Sequence, residues 1–245
     1  MAEDPVVSSN PDFVEKFLTT VRRTIPLSIE QIDMMLQLIT AARGERVTNF
    51  LDLGCGDGVL SAAILDEHPH SRGVLVEFST PMLEAVRQQL HAHSSRVEFL
   101  EADFHEPSWT RRVAPHAPFD AVVSAFAIHH LPDPRKRELY REVFDLLAPE
   151  GIFINIEHVS SAIRWTESIW DDRMIDAIFG TELKASPGKP RLEVARDYYA
   201  RASQDPNILA PLEVQCDWLR EIGFADVECY LKVQELAVFG GQRPG

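Results

Sequence analysis

Three glycines at alternate positions, Gly54, Gly56 and Gly58, follow the apolar run Val47-Thr48-Asn49-Phe50-Leu51-Asp52-Leu53 and precede a helical pattern that begins at Val59. A strand that breaks into a glycine turn and then a helix brings backbone N–H groups up to a ligand with no side chain in the way. A plain strand-to-helix turn needs one glycine. Three, with Asp52 before them and Asp57 among them, point to a ligand loop. Further acids and histidines stand where later apolar runs end: Glu77, Asp103, the pair His129-His130, and Glu157-His158. Carboxylates accept hydrogen bonds from hydroxyls and amines. A histidine near neutral pKa takes a proton from a hydroxyl or ammonium nucleophile.

The ligand class follows from what the loop lacks. The dinucleotide fingerprint G-x-G-x-x-G has its third glycine one place later than Gly58, where this chain has Val59. A P-loop needs Gly-Lys-Ser/Thr, and no lysine follows. Two acids around the loop repel a pyrophosphate and suit a ligand with a cationic end. Glu77, about twenty residues past the glycines at the end of the second strand pattern, is placed to accept from both ribose hydroxyls, the logic of dinucleotide folds without their phosphate.

The run Leu51-Asp52-Leu53-Gly54-Cys55-Gly56-Asp57-Gly58 resembles motif I of the class I S-adenosylmethionine-dependent methyltransferases. Ala127-Ile128-His129-His130-Leu131 resembles that family's motif IV, and Leu147-Ala148-Pro149-Glu150-Gly151 its L-x-P-G-G link into the fifth strand. The resemblance implies S-adenosyl-L-methionine as cofactor and methyl transfer to a small-molecule acceptor by in-line displacement. It implies that Asp52, Gly54, Cys55, Gly56 and Asp57 hold the methionine end, Glu77 the ribose, and Phe78 a face of the adenine. Asp103 then accepts from the adenine amino group, with the backbone N–H of Phe104 reaching the ring, and Ser124 lies in the strand that ends beside the sulfonium. His129, His130, Glu157 and His158 are the candidates for a base, and no metal is called for. Of the two adjacent histidines, one has the alternative of packing under the loop and holding a backbone carbonyl. Two rival readings carry weight. One is an enzyme making carboxy-S-adenosylmethionine for tRNA wobble modification, which needs an arginine where the late helix here offers Trp218, with Arg220 nearby. The other is a non-catalytic partner that keeps the fold.

The elements that must position these groups read as an alternating strand–helix chain. That gives an α/β fold: a doubly wound, mostly parallel, seven-stranded Rossmann-like sheet with helices on both faces. The spacing predicts a helical N-terminal cap over 1–46, with one helix through Phe13, Phe17, Leu18 and Val21 and a second from Ser28. Arg22 and Arg23 between them either meet a cofactor carboxylate or are solvated surface. The cofactor core spans 47–158. Residues 159–211 break the alternation and read as a helical lid. There Trp165, Trp170, Tyr198 and Tyr199 are pocket walls, a homodimer contact, or core. Residues 212–245 give a closing helix and a strand pair, the last strand antiparallel.

Composition narrows the partners. The net charge of −14 disfavours a nucleic-acid backbone as main ligand, because phosphate contacts want clustered Lys and Arg. The N-terminus has neither a basic n-region nor an apolar h-region, and no apolar run reaches membrane-spanning length. Cys55, Cys216 and Cys229 are far apart and show neither disulfide nor metal spacing, which suits a reducing cytoplasm.

Overall fold

The structure, a computed structural model, describes residues 25–44, 47–161, 163–185, 188–204 and 207–245. The helix expected through Phe13 to Val21, with Arg22 and Arg23, lies outside the described residues. One sheet organises the rest, in the order β3-β2-β1-β4-β5-β7-β6. Its strands are β1 (Asn49–Leu53), β2 (Arg72–Glu77), β3 (Val97–Glu101), β4 (Phe119–Ala125), β5 (Leu147–His158), β6 (Ala225–Val233) and β7 (Leu236–Gln242). β1 pairs in parallel with β2 and β4, β2 with β3, and β4 with β5. β7 is antiparallel to both its neighbours and enters between β5 and β6. Strand order reverses between β1 and β4, and in open α/β sheets the crevice at such a switch point, beyond the carboxyl ends, is where ligands bind.

Each strand sends alternate residues to opposite faces, and both faces are buried. Leu51, Leu53, Val74, Val76, Val122 and Phe153 pack with Leu139, Tyr140 and Val143 of α4 (Asp133–Leu146) and with Leu212, Cys216 and Leu219 of α7 (Leu212–Ile222). Phe50, Leu75, Ala121, Val123 and Ile154 pack with Met35 and Ile39 of α1 (Ser28–Arg43), Leu60 and Ile64 of α2 (Val59–Glu67), and Leu83 and Val86 of α3 (Thr80–Gln89). Met82, Val86 and Leu90 are therefore core, as their spacing predicts.

Local differences from the sequence reading have local causes. Thr80 followed by Pro81 reads in sequence as the cap of α3, but the cap is Ser79, which is extended and whose Oγ accepts from Met82 N–H. Helical spacing puts Ile29, Ile32, Met35, Leu36 and Ile39 on one face of α1, but Ile29 is 71% exposed, because Gln31, Met35 and Ile39 form the buried stripe. β5 begins at Leu147 rather than after Gly151, since Leu147 pairs with Phe119 across a register irregularity. Between β5 and α7 lie α5 (Arg164–Ala185) and α6 (Arg191–Gln204), joined by Arg191 to Asp172 and Asp176. Trp170, Ile175 and Val194 are buried there, while Trp165, Ile169, Leu192 and Tyr199 are exposed. Trp165 and Tyr199 are thus not core.

Candidate active site

The glycine turn stands at the carboxyl end of β1, where the switch-point rule puts a ligand. Gly54 and Gly56 have φ of +67° and +53°, which L side chains rarely adopt. Their surroundings differ. A Cβ on Gly54 would lie 2.4 Å from Ala127 Cβ, so this glycine lets the β1 and β4 loops touch. A Cβ on Gly56 would meet nothing closer than the Gly54 carbonyl at 4.0 Å, so its face is open. The N–H groups of Gly54 and Cys55 go to the Val76 carbonyl at 2.9 and 3.0 Å, which moors the turn to β2.

Glu77 closes the other side. Its carboxylate is 6% exposed and accepts from Gly56 N–H at 3.2 Å through Oε2, and from Phe78 and Ser79 N–H at 3.0 Å each through Oε1. A carboxylate has about four acceptor positions, so Oε2 retains one. Burial pushes the Glu77 carboxyl up, the three backbone donors oppose it, and repulsion from Asp103 adds to the rise.

Several expected cofactor residues turn inward. Asp52 is buried and accepts from Ser61 Oγ at 2.6 Å, tying β1 to α2. Asp57 accepts from Val59 N–H at 3.3 Å, at the start of α2. The Cys55 thiol is buried in the core, and burial followed by the charges of Asp52 and Glu77 pushes its pKa up. Ser124 is fully buried and its hydroxyl donates to the Leu53 carbonyl at 2.9 Å, so it joins β4 to β1. For these four the side chain is engaged within the fold, which leaves the backbone of the turn as the surface presented to a ligand. Phe78 is half-buried beside Glu77. Past β3, Asp103 is half-exposed and bonded to His105, and Phe104 buries its ring under Gly54.

The loop after β4 carries the second group. Phe126 is left-handed, φ +51°, and its N–H is held by the Ile156 carbonyl at 2.9 Å. Such a conformation in a bulky residue is an outlier that its surroundings must enforce. It turns the chain so that His129 meets Glu157 at the end of β5. His129 Nδ1 is 2.6 Å from Glu157 Oε1, and His129 N–H donates to Oε2 at 3.1 Å. The pair is 8% and 1% exposed. Burial alone would raise the Glu157 carboxyl; the charge and hydrogen bond of His129, with the His158 N–H and His130, overcome it and hold Glu157 below its usual range.

His130 packs on His129 with ring centroids 4.1 Å apart. His158 forms a second imidazole–carboxylate pair, its Nε2 2.8 Å from Glu235 Oε2, with its ring 5.5 Å from Trp170. Its Nδ1 is 3.4 Å from the Asn207 amide nitrogen. Ile208 N–H donates to the His129 carbonyl at 2.9 Å, and the buried Lys136 Nζ donates to the Ile208 carbonyl and to Asp133 at 2.8 Å. Glu235, Asn207, Lys136 and His105 were not reachable from sequence: none lies in a motif, and only folding brings them to these loops. Among the described residues no cluster of His, Cys, Asp or Glu could hold a metal ion.

A methyltransferase-domain family model matches residues 50–151, the stretch from β1 into β5 that carries the turn, Glu77, Asp103 and His129. The chain is similar to a carboxy-S-adenosyl-L-methionine synthase from Campylobacter lari, 24% identical over 86% of this chain and 84% of that protein. It is also similar to a demethylmenaquinone methyltransferase from Clavibacter sepedonicus, 29% identical over 78% of this chain and 69% of that one. Among solved structures, an O-methyltransferase family protein from Burkholderia thailandensis superposes with a TM-score of 0.66 at 21% identity, over 96% of this chain and 60% of that one. The chain spans about 60% of the length of the solved structures it matches. Residues 50–151 thus match a methyltransferase domain, and the chain as a whole has the fold of the solved methyltransferases it superposes on.

Proposed function

We propose that this chain transfers a methyl group from S-adenosylmethionine to a hydroxyl of a small-molecule acceptor, with His129 as general base. The observation that carries the reading is the buried His129–Glu157 pair at the ends of β4 and β5, across the switch point from the open Gly56. The residues fit the cofactor. Gly56 offers an open backbone approach, Glu77 keeps an acceptor position for a ribose hydroxyl, and Asp103 is half-exposed at the end of β3. Bound S-adenosylmethionine supplies an activated methyl on a sulfonium, so the protein needs mainly to align the nucleophile and exclude water.

The proton is then the protein's task. Glu157 accepts from His129 Nδ1–H, which fixes the tautomer and leaves Nε2 as the acceptor. Glu157 stays ionised and steadies the imidazolium that forms when His129 takes the hydroxyl proton. His130 and His158 flank this ring rather than repeat its role: His158 is committed to Glu235. The segment 159–211 acts as the acceptor lid, and its exposed Trp165, Ile169 and Leu192 support contact between two copies. Free thiols at Cys55, Cys216 and Cys229 support a reducing compartment such as the cytoplasm.

A second reading is favoured by the synthase relatives, which match this chain over most of both lengths. The late helix still offers it no free arginine: Trp218 lines a surface cleft with Arg137, Glu138 and Arg141 along α4, and Arg220 is engaged with Asp217 and the Val227 carbonyl. Mass spectrometry of the nucleoside retained on purification separates the readings. S-adenosylmethionine or its homocysteine product supports methyl transfer, and the carboxylated form supports the synthase reading.

A further inference from the structure

We propose that His105 is a positioning residue for the nucleobase contact, holding Asp103 with one carboxylate oxygen turned to the ligand. This rests on the cofactor reading above and deepens it. The backbone N–H and the ring Nδ1 of His105 converge on the same oxygen, Asp103 Oδ1, each at 2.8 Å. Among the described residues Oδ2 carries no hydrogen bond, so one oxygen is anchored and the other presented. The His105 ring lies parallel to Phe104, 3° between planes and 6.2 Å between centroids. Phe104 is itself buried, and its carbonyl accepts from Arg135 Nε at 2.9 Å. On the other side Ala102 N–H donates to the Glu77 carbonyl at 3.1 Å. The segment that presents Asp103 is therefore braced at both ends.

A neutral imidazole can give its single N–H to Asp103, whereas the imidazolium gives a charge-assisted bond to the same oxygen. Surrounding charges agree. The hydrogen bond from Asp103 leads the causes that raise the His105 pKa, with burial opposing, and the hydrogen bond from His105 leads those that lower Asp103. Arg135 opposes the charge on His105 but is paired with Glu142 and Glu138, and Glu77 is the other acid that interacts with Asp103. The bond to Asp103 is charge-assisted while His105 is charged, and it weakens as pH rises through the raised His105 pKa.

The test is titration calorimetry of the full chain with S-adenosylhomocysteine and with S-inosylhomocysteine, which lacks the base amino group, at about pH 6 and about pH 9, on either side of the histidine range. The wild type prefers the adenosyl compound at the lower pH, and the preference shrinks several-fold at the higher. His105→Ala loses about tenfold of that preference, the worth of one charge-assisted hydrogen bond. His105→Asn keeps one donor and cannot titrate, so it holds an intermediate preference independent of pH. A His105→Ala chain with the wild-type preference, one that loses both ligands equally, or a wild-type preference independent of pH overturns the inference. A wild type that binds neither compound overturns the cofactor reading itself.

Discussion

His129 Nδ1 stands 2.6 Å from Glu157 Oε1, inside a pair that is almost fully buried at the meeting of two parallel strands. Glu157→Gln replaces the acceptor by a neutral amide and leaves the imidazole without a fixed tautomer. Turnover is expected to fall by about 100-fold, the usual scale for a general base, with cofactor affinity unchanged. Steady-state kinetics with calorimetry separates the two effects. Equal losses in both return the pair to a structural role.

The same pair makes acid stability legible. Glu157 is held below its ordinary pKa in the fold, so its contribution is present above the unfolded carboxyl value and is lost as pH falls through the folded one. Thermal melts of wild type and Glu157→Gln are expected to converge on acidification. A difference between them that does not change with pH contradicts this.

Glu77 runs the other way. Its folded pKa is raised, so its contribution to the free protein is greatest below the unfolded value and is lost as pH rises through the folded one. A ligand whose hydroxyls donate to the ionised form pulls that pKa down again. Cofactor binding in mildly acidic buffer is expected to release protons, and to weaken on acidification at a pH above the usual carboxylate range. Calorimetry in buffers of differing ionisation enthalpy reads this directly, and proton uptake would contradict it.

How far the sequence carried these groups depends on how local each one is. The glycine turn, the strand that ends at Glu77, the strand that leads to Asp103, and the alternation of strands and helices follow from short-range patterns of period two and helical spacing, and all appear in the fold. What sequence could not tell was which way a side chain faces. Asp52, Asp57, Cys55 and Ser124 sit at motif positions, yet each turns into the structure. Glu235 and Asn207 meet His158 only because β7 inserts beside β5 and the chain after α6 returns to the β4 loop. Long-range closure of this kind leaves no signal in spacing.

Trp170 buries its indole Nε1 with no hydrogen-bond partner among the described residues, while its ring packs on His158. An unsatisfied buried donor costs about 1–3 kcal/mol. Trp170→Phe keeps the ring contact and removes the donor, so the melting temperature of the free protein is expected to hold or rise. A loss comparable to a core truncation would show that the donor is satisfied.

Lys136, 1% exposed, joins α4 to the Ile208 carbonyl, and Ile208 N–H holds the His129 carbonyl. Lys136→Met removes the charge and keeps much of the volume. Hydrogen exchange at the Ile208 amide is expected to quicken by tenfold or more, for about 1.5–3 kcal/mol of lost charged hydrogen bonding, before any change in β1 or β2. Unchanged protection at Ile208 would remove Lys136 from this role.

The central claim is that a positively charged nucleoside sits over Gly54–Gly58 with its ribose on Glu77. Calorimetric titration of S-adenosylhomocysteine into wild type and Glu77→Ala tests it most directly. One equivalent is expected to bind the wild type, and the variant to lose about 1.5–3 kcal/mol of affinity. Absent binding to the wild type, or the same affinity in both proteins, would contradict it.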